Sequence, residues 1–192
     1  MEGCYDLPGF LPTAHDVVID AGCDYGDFTC ICARAGARVI AFDPNPENVR
    51  HAEELLRING LPGEVHPVAL GGQPGTIPMG RLGPAQLSGH TTQDVREVPV
   101  WKVDALDLPP VTLFKIDVEG MESEVLSGAE SVLLHDRPRV IIELHGDKAA
   151  RESGQQLRRM GYSRAFEGPR RRNSHFGFVQ NEFWAPNAKD PG

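Results

Sequence analysis

The apolar positions of this chain fall into short runs separated by stretches of helical spacing, and the two periods alternate along its length. Val17-Val18-Ile19 is a β-branched run closed by Asp20. The turn Gly22-Cys23-Asp24-Tyr25-Gly26 then leads into a helical stretch reaching Ala35. Ala37 to Phe42 predicts a second strand, ending at Asp43. Pro44-Asn45-Pro46-Glu47 starts the next helix, with Asn45 as N-cap and proline in the first turn. Val49, Ala52, Leu55 and Leu56 carry that helix, and Gly60 stops it. Glu64 to Leu70 predicts one further strand. From Gly71 to Val98 the pattern loosens, with hairpin strands expected around Thr76 to Met79 and Val98 to Val103. Val111 to Val118 predicts a strand, Met121 to Leu134 one helix, and Val140 to His145 the fifth core strand. A helix from Lys148 to Met160 ends at Gly161, and Tyr162 to Phe166 and His175 to Trp184 predict two closing strands.

Strands and helices alternating in this way build an α/β fold, a mostly parallel sheet with helices on both faces, because parallel strands need a covering crossover. Neither a repeat nor a linker interrupts it, so a single domain over 1–192 is expected, with a short N-terminal segment 1–14 and a frayed tail over 185–192. In such sheets ligands sit at the carboxyl ends of the strands, where strand order reverses. Asp20, Asp43, Asp117, Glu143 and His145 all stand at predicted strand ends.

The 192 residues suffice for one sizeable core, and 40% hydrophobic with 24% charged residues is ordinary for a soluble protein. A formal net charge of −8 opposes general polyanion binding, which demotes nucleic acid as a partner. The four cysteines, at 4, 23, 30 and 32, lack zinc-type spacing and later partners, which fits a reduced cytoplasmic chain. With no basic leader and no long apolar run, neither export nor a membrane span is expected.

The first turn narrows the chemistry. Gly22 and Gly26 let backbone approach a ligand closely, and unpaired N–H groups of the following helix face it. Asp20, Asp24 and Asp27 surround the turn with no basic residue. A diphosphate would be repelled there, whereas a sulfonium or ammonium with a sugar diol would be held, which is the description of S-adenosylmethionine. Asp43 is placed to accept from both ribose hydroxyls, or else only caps the helix behind it. The full G-x-G-x-x-G pattern is missing, so NAD is the second choice of cofactor.

The second informative stretch is Leu113-Phe114-Lys115-Ile116-Asp117-Val118-Glu119-Gly120-Met121-Glu122. Glu119 and Glu122 also suit a helix N-terminus for purely structural reasons. Glu143 and His145 alternate on one strand and share a face. His145 is the expected general base for an acceptor hydroxyl, with Glu143 or Glu119 orienting it or the substrate, its alternative being a satisfied structural histidine. Asp117, Glu119, Glu143 and His145 offer donors for Mg²⁺ or Mn²⁺, but their spacing specifies no metal and none is expected. Arg158-Arg159, Arg164 and Arg170-Arg171-Arg172 could grip a phosphate or carboxylate of the acceptor, hold RNA, or form a solvated surface. Trp101, Phe183 and Trp184 are expected to be core or sheet-packing residues and not stacking platforms.

Taken together, Val-Val-Ile-Asp-Ala-Gly with Cys-Asp-Tyr-Gly, Ala41-Phe42-Asp43-Pro44-Asn45-Pro46, Lys-Ile-Asp-Val-Glu-Gly-Met-Glu with Val-Leu-Ser-Gly-Ala, and Ile-Ile-Glu-Leu-His resemble the FkbM family of S-adenosylmethionine-dependent methyltransferases, over about residues 15–184. The resemblance implies a Rossmann-like class I methyltransferase fold with an antiparallel C-terminal strand, and transfer to an oxygen of a small-molecule or saccharide acceptor. It places the methionine part of the cofactor near Asp20, Gly22 and Gly26, with Tyr25 in the same turn. The ribose would lie on Asp43, the adenine near Asn45 and Ala69, and Asp117 beside the methionine or the transferred methyl. Cys23 and Asp24 stand where the family tends to have Ala and Asn, and Asp43 where it often has Glu. The alternatives are a nicotinamide-dependent oxidoreductase and a non-catalytic module that binds S-adenosylmethionine or RNA.

Overall fold

A computed structural model describes residues 7–80, 83–84 and 96–188. The two sequence periods translate directly into its layers. β1 (Val17–Ala21) carries Val18, Ile19 and Ala21 fully buried, and α1 (Asp27–Arg34) packs back onto it. β2 (Arg38–Phe42) and α2 (Pro46–Ile58) follow as the spacing predicts. The Asn45 side chain caps α2 by accepting from the Glu47 N–H at 3.1 Å.

The strand expected over 64–70 is two. β3 (Glu64–His66) pairs with β2 in the main sheet, and β4 (Ala69–Leu70) pairs with β7 (Arg96–Trp101) in another. Pro67 sits between them and brings no N–H to a ladder, and the Val68 N–H turns back to the His66 carbonyl. β5 (Gly75–Gly80) pairs antiparallel with β7, and β6 (Gly83–Pro84) completes a small sheet of order β4-β7-β5-β6. The rest of the loose stretch lies outside the described residues.

After β8 (Leu113–Ile116), the single helix expected over 121–134 is also two, α3 (Glu122–Gly128) and α4 (Glu130–His135). Gly128 explains the break: a Cβ there would stand 2.1 Å from the Gly71 carbonyl oxygen, so the small sheet's backbone docks against the helix end. β9 (Arg139–His145), α5 (Gly146–Arg159), β10 (Tyr162–Glu167), β11 (Arg171–Asn173) and β12 (Gly177–Pro186) complete the chain. β12 extends further than expected, pairing Ala185 and Pro186 with Ser163 and Tyr162, so the tail is anchored to Pro186.

The main sheet runs β10-β12-β9-β8-β1-β2-β3, with β11 added on β12. β3, β2, β1, β8 and β9 are parallel; β12 is antiparallel to β9 and β10. This is the α/β architecture expected. Strand order reverses between β1 and β8, which puts the binding crevice beyond their carboxyl ends. Phe183 and Trp184 are buried in the core as expected. Trp101 lies on the small sheet, 38% exposed, its ring 5.8 Å from that of His66.

Candidate functional site: a glycine crevice beside a buried histidine–carboxylate pair

The crevice is built by close backbone approach. Gly22, at φ +77°, sits where a Cβ would lie 1.8 Å from the Asp117 carbonyl oxygen, so β1 and β8 can converge there only around a glycine. The Gly22 and Cys23 N–H groups donate to the Phe42 carbonyl at 2.8 and 3.1 Å, tying the turn to β2. Gly26, at φ +89°, opens α1 against Ala52 of α2 in the same way.

The Asp20 carboxylate does not line this crevice. It is 0% exposed, with one oxygen 3.0 Å from the Lys115 ammonium and the other accepting from the Thr29 hydroxyl at 2.6 Å. Lys115 also donates to the Gly22 carbonyl at 2.7 Å. Asp20 and Lys115 are register partners on neighbouring strands, so the one polar residue inside the apolar β8 run is the counter-ion of the acid on β1. The Asp20 carboxylate, expected beside the ligand, is instead enclosed by Lys115 and Thr29, and the ion pair braces the turn through the Gly22 carbonyl.

Asp43 does lie at the crevice, and its oxygens are partly taken. One accepts from the Asp24 N–H at 3.0 Å, the other from the Asn45 N–H and the Asn48 amide at 2.8 and 3.1 Å. A carboxylate offers about four lone-pair sites, so one is left for a ribose hydroxyl instead of the two expected. Burial pushes its pKa up, against the pull of those hydrogen bonds. Tyr25 is 57% exposed with its ring edge-on to His51, Asn45 accepts from Arg96 at 2.8 Å, and Ala69 is buried in the small sheet. The residues expected around the cofactor therefore divide between the turn, the β2 end and the rim formed by the small sheet.

Across the switch point, Asp117, Glu143 and His145 converge: one ligand atom of each lies within 4.8 Å of the other two. His145 Nδ1 is 2.7 Å from a Glu122 oxygen that also accepts from the Gly120 N–H. With Glu122 ionised, Nδ1 must carry the proton, and Nε2 keeps its lone pair toward Asp117, 3.9 Å away. Burial alone would pull the imidazole pKa down. The Glu122 hydrogen bond and the charges of Glu122, Asp117 and Glu143 outweigh it and hold it above the ordinary value.

The group that orients His145 is thus Glu122, not the expected Glu143 or Glu119. Glu119 projects from an exposed residue at φ +53° and makes no hydrogen bond among the described residues. Glu143 shares the face of His145, but its carboxylate is paired with Arg171 at 3.1 Å. The three converging groups could in principle receive a hard divalent cation. Both carboxylates already have a cationic neighbour, however: Lys115 stands 3.7 Å from Asp117, and Arg171 binds Glu143. Glu122 went unnoticed because an acid in the first turn of a helix is favoured by the dipole, and only the tertiary fold reveals its histidine.

A family model described as the methyltransferase FkbM domain matches residues 14–168. The chain belongs to the FkbM methyltransferase family. It is 31% identical over 138 residues to the hexuronic acid methyltransferase AglP of Haloferax volcanii, covering 68% of this chain and 56% of AglP. The fold matches that of methyltransferase FkbM from Methylobacillus flagellatus at TM-score 0.68 and 18% identity, over 93% of this chain and 46% of that one. It also matches the magnesium protoporphyrin IX methyltransferase of Synechocystis, solved with bound S-adenosylmethionine, at TM-score 0.58 and 16% identity, over 93% and 73%. This FkbM-family chain thus spans about half the length of its curated relative and of the FkbM structure. These matches support the class I methyltransferase fold and S-adenosylmethionine as cofactor, and do not favour a nicotinamide-dependent oxidoreductase. No helix among the described residues is long and apolar enough to cross a membrane.

Proposed function

We propose that the chain is one methyltransferase domain that moves the methyl group of S-adenosylmethionine to a hydroxyl oxygen of an acidic saccharide. The observation that carries this reading is the imidazole of His145, locked by Glu122 with Nε2 free, beside the glycine crevice. The name of AglP supplies the sugar-acid class of acceptor.

The residues present suit that cofactor. Gly22 lets the turn after β1 pack directly against the Asp117 backbone at the switch point, and Asp43 retains an acceptor site for a ribose hydroxyl. When bound, S-adenosylmethionine supplies an electrophilic methyl carbon on a sulfonium, open to in-line displacement. The chain's own part is to hold the acceptor oxygen about 3 Å from that carbon and to take its proton. His145 Nε2 receives the proton as the new C–O bond forms, and Glu122 stabilises the resulting imidazolium. The proton would then pass from His145 to water, the cofactor's sulfur taking up the C–S electron pair as the chemistry it supplies when bound. The free, buried cysteines 23, 30 and 32 support a cytoplasmic location.

The deciding experiment supplies methyl-labelled cofactor, in EDTA, with oligosaccharides ending in glucuronate or galacturonate and with their neutral counterparts. Alkali-stable label in the acidic sugars is expected. S-adenosylhomocysteine binding with no label in any saccharide would leave a non-catalytic module, and preference for NADH would restore the oxidoreductase.

The raised His145 pKa fixes the pH dependence. Because the imidazolium persists above the ordinary value of about 6.5, activity should fall as pH drops through the raised pKa, placing the acidic limb above that value. Glu122→Gln removes the hydrogen-bonded charge that does most to raise it, so the limb should move to lower pH. A pH profile of kcat checks this; an unmoved limb would show that Glu122 does not tune the base.

A further inference from the structure

The arginines of the C-terminal third do not form one cluster, because strand alternation divides them. Arg171 pairs in register with Val179 and turns to the catalytic face, where it meets Glu143. Its neighbours serve the opposite side of the sheet. There a groove of about 470 Å³ runs between α5 and the β10/β12 pair, lined by Arg151, Arg158, Arg164 and Arg170. Asp147, Arg151, Gln155 and Arg158 occupy one helical face of α5, four, four and three residues apart.

The charge in the groove is unequal. Its three acids are taken up by two of the arginines: Arg164 binds Glu182 and Glu167, and Arg170 binds Asp147 at 3.2 Å. Arg151 and Arg158 have no carboxylate partner among the described residues, and with four arginines against three acids the groove keeps one net positive charge on a chain whose formal net charge is −8. Two guanidinium planes are also held in place, Arg158 5.2 Å over the Trp184 ring and Arg170 4.0 Å over that of Phe178. Rings covered in this way give no free face for nucleobase stacking, which single-stranded nucleic acid binding uses. Oriented forks with spare donors suit carboxylates. The position fits as well: Asp147 lies two residues beyond His145, and Arg170 adjoins Arg171, so the groove starts where the catalytic edge ends.

We propose that this groove is a second binding site, on the far side of the sheet edge from His145, that holds carboxylate-bearing sugar units of an extended acceptor while another unit is methylated. The inference rests on the saccharide reading of the catalytic site and adds that the acceptor is a chain of several acidic units. Arg151 and Arg158 would pair directly with carboxylates, and the stacked Arg170 would bridge the groove to the reacting unit.

The test uses the full chain and calorimetry with tetragalacturonate, a neutral galactose tetramer and a single-stranded RNA of equal charge. Wild type should bind the tetragalacturonate at least tenfold more tightly than the neutral tetramer. Arg151→Glu and Arg158→Gln should each weaken that binding about tenfold, with S-adenosylhomocysteine affinity unchanged as evidence of an intact fold. The same variants should raise KM for the acidic tetramer while leaving that for a monomeric uronate alone. Equal binding of charged and neutral tetramers, tighter binding of RNA, or unaltered affinity in both variants would overturn the proposal. Methylation of the monomer with no groove effect would sink only this inference, whereas groove binding with no sugar methylated would sink the catalytic reading.

Discussion

Replacing His145 by alanine should lower kcat by about 10²–10⁴, the usual contribution of a positioned general base. An acceptor hydroxyl keeps its proton at neutral pH, and the His145 imidazole has its tautomer set for taking it, with Nδ1 engaged by the buried Glu122 and Nε2 3.9 Å from Asp117. Single-turnover transfer to an acidic saccharide measures the loss, and S-adenosylhomocysteine affinity should stay within about twofold, since His145 serves the acceptor. Added imidazole or higher pH should restore part of the rate. If the variant kept nearly full turnover, the accepting oxygen would carry no proton, and the methyl group would be going to a carboxylate instead of a hydroxyl.

Lys115→Met should destabilise the protein by about 3–5 kcal/mol, because it leaves the fully buried Asp20 carboxylate without its cation. Thr29 would remain as a single hydrogen-bond donor, which does not offset an isolated interior charge. The Gly22 carbonyl loses its donor as well, so cofactor affinity should fall alongside stability. Urea unfolding reads the effect as a lower midpoint at unchanged slope. Adding Asp20→Asn should recover most of the stability, since removing both charges costs far less than removing one. A single variant within about 1 kcal/mol of wild type would show that the pair does not brace the turn.

Both residues bear on how much was legible beforehand. His145 and Asp43 stand out as candidates in the sequence because each closes an apolar strand at the edge where ligands gather. Lys115 was visible as an interruption in Leu113–Ile116, but its meaning depends on β8 lying beside β1 in the register that sets it opposite Asp20. Glu122 was hidden more deeply, since its sequence neighbours offer a sufficient local explanation. The boundary errors have local causes too: Pro67 ends β3 early, and Gly128 breaks a helix where the Gly71 backbone touches it.

The order of periods along the chain was enough to specify a parallel α/β sheet, because hydrophobic spacing records which face of each element is buried, and crossover handedness then leaves few arrangements. The motifs likewise named the family and its cofactor. Which carboxylate faces the crevice, which one neutralises a buried lysine, which one holds the histidine, and how three consecutive arginines part between two faces of a sheet were decided only by the tertiary structure. Those outcomes depend on strand register and burial between residues distant along the chain, and hydrophobic spacing within one segment carries no record of either.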